Sequence, residues 1–321
     1  MKKQIVFGMI LCCMSSMVYG EIVWTDYADN PIPVPMPNGS RAYMPCVIWN
    51  PDIGKYQMWY EQGSIALETY AESTDGLNWT NVQLCTGVDF ETINVARPYV
   101  LYNTSWTYPY RAYWFGRDSG ELGDHVRFAE SKDGIAWENN QPLDLEVELA
   151  GMTISSPDGH TVFYNPVSSV APFFLFLKTT DPGAGDVTSV FTSTDGLNWR
   201  WFDFATLNAG YHITTILQIS ANDFRAWGFY QYNIPGIQYF RSTDGIEFDL
   251  IEDPVANVGG AGPAGAWNQH RNYHPAVVYD GNGYFKMWRS GRNDDTGHYR
   301  TGFADGFDEE LGTEVSAWMI Y

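Results

Sequence analysis

The sequence is poor in cysteine and in long apolar runs. Four cysteines occur among 321 residues, and two of them, Cys12 and Cys13, lie within the first twenty residues. The one long apolar stretch, Ile5 to Val18, follows two lysines and precedes small residues, as in a secretory signal peptide. No later run is long enough to span a membrane. We therefore expect residues 1–20 to be a signal peptide, residues 21–321 to form one domain, and the protein to be secreted or periplasmic.

Positive charge is also scarce. Without Lys2 and Lys3, 16 basic residues stand against 38 acidic ones, a net charge of about −22. A surface of this charge repels nucleic acid and anionic membranes, so we predict neither as a partner. With no linker or low-complexity tail to separate further domains, we expect a single domain. We also expect the protein to be a monomer.

The sequence does contain a repeat. The heptapeptide STDGLNW occurs at Ser73 to Trp79 and again at Ser193 to Trp199, with looser copies SKDGIAW, STDGIEF and ADGF. The aspartates of the five copies lie 58, 62, 49 and 61 residues apart, which is typical of stacked supersecondary units. They are Asp75, Asp133, Asp195, Asp244 and Asp305.

Each copy follows two short apolar runs, the second of them aromatic. The Asp-Gly pair is typical of a turn, because glycine accepts positive φ. Each unit therefore reads as a four-stranded antiparallel sheet, and five such sheets predict an all-β, five-bladed β-propeller. The inner strands are expected to start near Pro45, Pro98, Thr161, Thr214 and Pro275. We expect the segment from Trp24 to close the last blade, with the segment from Glu314 as the alternative.

The recurring aromatic residues are interpreted as packing wedges between blades, since large aromatic side chains on regular strands usually serve the core. The outer set is Trp79, Trp137, Trp199 and Phe248, and the set in the second strands is Trp59, Trp114, Phe176, Trp227 and Trp288. Cys46 and Cys85 fall on the first and last strands of one blade, three spacings of about 4.8 Å apart, so we expect two buried free thiols.

The order of Pro-x-Val openings, YxMWY-like strands and A-x-S-x-D-G-x-x-W turns resembles the five-bladed glycoside hydrolases of the arabinanase, levansucrase and invertase superfamily. These include families 43 and 32 and the related family 130. The openings are Pro45-Cys46-Val47, Pro98-Tyr99-Val100 and Pro275-Ala276-Val277. The resemblance covers essentially the whole mature chain and implies a secreted carbohydrate-active protein, a glycoside hydrolase with a poly- or oligosaccharide substrate and no cofactor.

In these enzymes the pocket lies on the propeller axis, where first strands begin and second strands end. The resemblance therefore implies a substrate-binding set on that face, consisting of Arg41, Tyr43, Glu91, Arg97, His212, His270, Arg271, His274 and Arg289. We predict that Arg41, Arg97, His212, Arg271 and His274 converge. Basic residues gathered at the mouth of so acidic a protein point to a wall that binds sugar or an anion.

The chain departs from the family at its catalytic base. Family 43 enzymes place an aspartate immediately before the proline of the first blade, and this chain has Met44 there. The equivalent position of the second blade, which is an aspartate in many relatives, is Arg97. Because hydrolysis by two carboxylates needs one acid and one base or nucleophile, we predict that second-strand ends supply them. The chosen carboxylates are Glu61, Asp118 and Asp181.

Three alternatives stay open at this point. A propeller that binds glycan without catalysis accounts for the missing aspartate. A sialidase is disfavoured, because its repeat has one more residue between Asp and Gly and its fold has six blades. A metal site at His270 and His274 lacks the three or four converging ligands that zinc requires, so we predict none.

Overall fold

The computed structural model describes residues 22–37, 41–62, 67–88, 93–118, 124–146, 152–183, 185–205, 210–230 and 236–313. The predicted signal peptide and the alternative closing segment from Glu314 lie outside these residues. Five antiparallel sheets form five blades, and the first strands of neighbouring blades contact each other in a closed ring. The predicted all-β, five-bladed propeller is thereby confirmed.

The strands follow the predicted order. Blade 1 contains β2 (Ala42–Asn50), β3 (Lys55–Gln62), β4 (Leu67–Ser73) and β5 (Thr80–Leu84). Blade 2 contains β6 (Ile93–Tyr102), β7 (Tyr110–Asp118), β8 (Asp124–Ser131) and β9 (Trp137–Pro142). Blade 3 contains β11 (Thr153–Tyr164), β12 (Phe173–Asp181), β13 (Gly185–Ser193) and β14 (Asn198–Phe204). Blade 4 contains β15 (Tyr211–Ser220), β16 (Asp223–Tyr230), β17 (Ile237–Ser242) and β18 (Asp249–Glu252).

The last blade takes its outer strand from the N-terminal end of the described chain. Its own strands are β19 (Arg271–Gly281), β20 (Tyr284–Asn293) and β21 (His298–Asp308), and β1 (Ile22–Asp26) pairs antiparallel with β21. A short helix α1 (Glu309–Thr313) follows. The predicted closure by the segment around Trp24 is confirmed. Among the described residues, no helix is long and apolar enough to cross a membrane.

Blade 3 departs from the four-stranded prediction. The connection that leaves blade 2 runs along the outer edge of blade 3, where β10 (Asp144–Leu145) pairs in parallel with β14. The extra strand is only two residues long, and it covers an edge that would otherwise expose unpaired backbone groups.

The Asp-Gly turns hold neighbouring blades together. In the first turn the Ser73 hydroxyl accepts the amide of Gly76, and Asp75 accepts the amides of the next two residues. The glycine carbonyl points to the preceding blade, where it accepts a hydrogen bond from the Trp288 indole at 2.8 Å. Gly134 accepts one from Trp59 at 2.7 Å in the same way. The repeated motif is therefore an inter-blade lock.

The fifth copy of the motif is a different structure. Asp305 and Gly306 lie inside β21 and pair with both β20 and β1, so they form no turn. Because the outer strand of this blade arrives from the N-terminus, no connection is needed after β21. Trp24 on β1 packs edge-on against Trp227 of blade 4 and so replaces the aromatic residue of a turn.

Trp114 is buried between blades 1 and 2, as a wedge should be, but its place in the strand does not match that of Trp59. Tyr113, rather than Trp114, occupies the place in β7 that Trp59 has in β3, and its hydroxyl donates to the Gly196 carbonyl at 3.0 Å. Successive side chains of a strand point to opposite faces, so Trp114 faces blade 1 and packs against Trp137. The other aromatic residues predicted as wedges are buried in the five inter-blade clusters.

The first strands begin before the predicted prolines. In blades 1, 2 and 5 the pairing with the second strand shifts at Pro45, Pro98 and Pro275 and resumes on the other side. Proline has no amide hydrogen for the ladder, so the strand bulges there instead of starting there. Cys46 and Cys85 are both buried and neither forms a disulfide, as predicted, and burial raises the pKa of Cys46 to about 12.

The lock predicts that its glycines resist substitution. Gly134 has a φ of 78°, and a methyl group there would lie 2.8 Å from the Trp59 ring. Gly185 has the same φ and open space around it, so it is a matched control. Both alanine variants carry the left-handed backbone penalty. We expect Gly134→Ala to lose about 1–3 kcal/mol more than Gly185→Ala, because the ring must also move. Chemical denaturation measures both, and equal losses would contradict the lock.

Candidate active site

Three residues before prolines have an unusual backbone. Met44, Arg97 and His274 have φ of 53°, 59° and 52°, and each directly precedes the proline of a first-strand bulge. The left-handed region is costly for residues other than glycine, about 1–3 kcal/mol each, and such outliers cluster at functional sites. In this fold they converge: Met44 packs with Phe229, and His274 lies near the charge of Arg97.

Glu61 is the carboxylate at the centre of this region. It lies on β3 directly opposite Tyr43, whose hydroxyl donates a hydrogen bond to it, and only 6% of the residue is exposed. Burial raises the pKa of Glu61, while the Tyr43 hydrogen bond and the charges of Arg97 and Arg41 act to lower it. These three neighbours favour the ionised form that a base or nucleophile needs.

Two buried histidines complete the group. His212 stacks on Phe229 at 4.9 Å, and the His274 ring lies 6.1 Å from the same phenyl ring. Burial lowers the pKa of both histidines to about 3, and the nearby Arg97 adds to the effect. Both are therefore neutral at physiological pH and act as hydrogen-bonding groups rather than cations. We call the residues gathered in this way the axial cluster. It consists of Arg41, Tyr43, Glu61, Arg97, His212 and His274.

The remaining predicted residues lie in other surroundings. His270 accepts the amide of Asp294 at 3.0 Å, which is the turn-capping role of a polar loop. Arg289 is fully buried, where it forms an ion pair with Asp26 at 2.6 Å and lies over the Trp267 ring. These contacts join β20 to the outer strand β1 and to the loop before β19, not to the axial cluster.

The structure describes the four other predicted residues to different extents. Arg271 begins β19. Asp118 ends β7, but its side chain is not among those described, and Glu91 lies outside the described residues. Asp181 ends β12 and accepts the amide of Gly183 at 2.8 Å. Glu61 is thus the predicted carboxylate that the described structure brings into the cluster.

Glu68 was missed by sequence reasoning. It lies on β4 directly opposite Glu61, so the two carboxyl groups share one face of blade 1. It is 5% exposed, and neither carboxyl oxygen has a hydrogen-bond partner among the described residues. Burial raises the pKa of Glu68 well above its ordinary value, and the negative charge of Glu61 adds to this. Both effects favour the protonated form of Glu68.

His160 and Tyr299 were also missed. His160 lies near His274 and contacts the backbone carbonyl of Tyr113. The Tyr299 ring packs 4.6 Å from that of Tyr43. His160 directly precedes Thr161, where the first strand of the third blade was predicted to start. Met44, Arg97 and His274 directly precede the corresponding prolines of their blades, so this position in the sequence could have identified His160. Among the described residues, no three His, Cys, Asp or Glu side chains gather as metal ligands do.

No protein-family model matches the sequence, and comparison with curated proteins finds no match either. Solved structures do match. An N-acetylgalactosamine deacetylase from F. plautii, in complex with blood group B trisaccharide, has a TM-score of 0.62 at 17% identity, covering 89% of this chain and 95% of that one. A thermostable family-43 glycoside hydrolase has a TM-score of 0.56 at 10% identity, covering 85% and 90%.

A β-fructofuranosidase from Schwanniomyces occidentalis, complexed with fructosyl-erythritol, also has a TM-score of 0.56, at 12% identity. The match covers 85% of this chain but only 57% of that longer one. At such identities the likeness establishes the fold, and this fold is the five-bladed propeller of the glycoside hydrolases that the sequence resembles.

The burial of Glu68 predicts a pH effect on stability. Its pKa is raised in the folded state, so unfolding releases a proton once the pH exceeds the unfolded value of about 4.3. The contribution of Glu68 to the free energy of unfolding is fully present below that pH, and it is lost as the pH rises toward the pKa of the folded state. We expect Glu68→Gln to lose less stability than the wild type between pH 4 and 8 in thermal unfolding. The exposed Glu247→Gln serves as a control, and parallel wild-type and Glu68→Gln profiles would contradict the assignment.

Proposed function

We propose that the protein is a secreted carbohydrate-active propeller that binds a glycan at the axial cluster and hydrolyses a glycosidic bond with Glu61 as base or nucleophile. The observation that carries the proposal is the placement of one buried carboxylate between Tyr43, Arg41 and Arg97. Solved structures with this fold include a deacetylase of an amino sugar, a glycoside hydrolase and a fructofuranosidase, which supports the substrate class.

The chemistry requires a second carboxyl group as the acid. Retaining enzymes separate the pair by about 5–5.5 Å and inverting enzymes by about 6.5–9.5 Å. Glu68 is a poor donor to substrate, because both of its oxygens are buried away from solvent. The second-strand ends of blades 2 and 3 carry Asp118 and Asp181, and we assign the acid to one of these two.

The neutral histidines and the arginines have separate roles in this scheme. His212 and His274 hydrogen-bond to sugar hydroxyls without adding charge, while Arg97 and Arg41 keep Glu61 ionised despite its burial. The two histidines are held by packing against Phe229, and the guanidinium groups of Arg41 and Arg97 lie over the rings of Tyr299 and Phe115. Such preorganisation aligns the reacting groups before the substrate arrives.

A glycan-binding protein without catalysis is the second candidate. Met44 and Arg97 stand where the family resemblance implies aspartates, and this departure favours a protein that has kept the pocket and lost its base. Incubation with a panel of plant and algal glycans separates the two functions. Release of reducing ends supports hydrolysis, and binding without release supports the second candidate.

Glu61→Gln tests the catalytic assignment. We expect turnover on the glycan identified by the panel to fall by about 10²–10⁴-fold, since the amide is neither base nor nucleophile. Its melting temperature should stay close to that of the wild type. The exposed Glu247→Gln is the matched control and should keep full activity. Asp118→Asn and Asp181→Asn then identify the acid. Full activity of Glu61→Gln would remove Glu61 from the mechanism.

The pH profile of kcat/KM gives an independent test. As a base, Glu61 must be ionised, so activity should fall as the pH drops through its pKa, which burial raises above the ordinary value of a glutamate. Arg97→Gln removes a charge that lowers this pKa, so we expect the acid limb to move to higher pH. The exposed Arg200→Gln should leave the limb in place. An acid limb that Arg97→Gln does not move would contradict the electrostatic role.

A further inference from the structure

A second group of positive charges lies beside the axial cluster, at the junction of blades 5 and 1. Arg271 on β19 and Arg292 on β20 are directly opposite each other in the sheet. Like charges in directly opposed positions destabilise an antiparallel pair. Only Arg292 has an acidic partner among the described residues, Asp294 at 2.5 Å, and Arg271 has none. The blade thus retains an unfavourable pair at its pocket-facing end.

Tyr299 connects this pair to the axial cluster. The guanidinium of Arg292 lies 4.7 Å from the centre of the Tyr299 ring, and that of Arg41 lies 4.9 Å from the same ring. Tyr43 packs on Tyr299 and hydrogen-bonds to Glu61. Two aromatic rings therefore lie between the Arg292 guanidinium and the Glu61 carboxylate, so Arg292 lies outside the immediate contacts of Glu61.

The charges of the described side chains do not balance here. Among them, Arg41, Arg97, Arg271 and Arg292 are opposed by Glu61 and the exposed Asp294, since the nearby histidines are neutral. This excess of positive charge lies in a chain whose formal net charge is −20. Structural stability alone does not account for an opposed arginine pair in such a chain, but an anionic ligand does.

We propose that Arg271 and Arg292, with Arg41 beside them, form a subsite for an anionic group of the glycan, a carboxylate or a sulfate. The guanidinium fork matches either group with two parallel hydrogen bonds, and the bound anion relieves the repulsion between the two arginines. The substrate class is then an acidic polysaccharide, such as a uronate-containing or sulfated one. This inference rests on the proposed glycan binding and specifies the chemical class of the glycan that is bound.

Matched oligosaccharides test the subsite. Calorimetric titration compares an oligouronate with its methyl ester, and a sulfated galactan oligosaccharide with its desulfated form. We expect the wild type to bind one acidic member at least about tenfold more tightly than its neutral counterpart, as one charge-assisted contact provides. The pair that shows the preference distinguishes carboxylate from sulfate. Added salt should weaken only the acidic ligand.

Single variants locate the preference in the protein. Arg271→Gln and Arg292→Gln should each lower it about tenfold, while Arg271→Lys, which keeps the charge but loses the fork, should keep part of it. Arg200→Gln, on the exposed outer strand of blade 3, is the control and should keep the full preference. Equal binding of acidic and neutral members, or an unchanged preference in both Gln variants, would overturn the subsite and leave the proposed function standing. If no glycan binds at all, both proposals fail.

Discussion

The hydrogen bond between an aromatic side chain of one blade and the glycine carbonyl in the turn of the next is the contact on which the propeller depends. It sets the distance between blades, because the ring fills the space that any larger residue at the glycine would need. Trp59 with Gly134, Tyr113 with Gly196 and Trp288 with Gly76 repeat one geometry with different rings. The ring of blades closes where Trp24 packs on Trp227 without such a turn. These hydrogen bonds fix blades 5, 1, 2 and 3 in rotation about the axis, and ring packing of Phe176 on Phe248 and of Trp24 on Trp227 holds blade 4.

Fixed rotation of the blades is what assembles the axial cluster. Residues at equivalent positions of first strands become neighbours on the axis, although they are far apart in sequence. The bulges at the prolines force Met44, Arg97 and His274 into a backbone conformation that costs about 1–3 kcal/mol per residue. The inter-blade packing offsets this cost, so the cluster is organised before any ligand binds.

Local signals in the sequence predicted the fold well and the site in part. Asp-Gly turns mark blade ends because only glycine fits there, and prolines mark the bulges because they cannot join a ladder. The same local signals misled at Asp305, where the partner strand comes from the other end of the chain, and at Trp114, one residue out of phase with Tyr113. Glu68 was missed because its burial depends on blade 2 packing over blade 1. The sequence of β4 alone does not indicate that contact between the blades.

The contrast between Glu61 and Glu68 shows how the site assigns its charges. Both are glutamates, both are buried, and they face each other across one pair of strands, so desolvation raises the pKa of each. They differ because a tyrosine hydroxyl and two arginines reach Glu61, whereas only the negative charge of Glu61 reaches Glu68. The family resemblance implies a carboxylate on the first strand, and this chain has Arg97 on a first strand and its carboxylate on a second. Arg97 on the first strand of blade 2 therefore favours the negative charge of Glu61 on the second strand of blade 1, so the two blades together set the charge of this carboxylate.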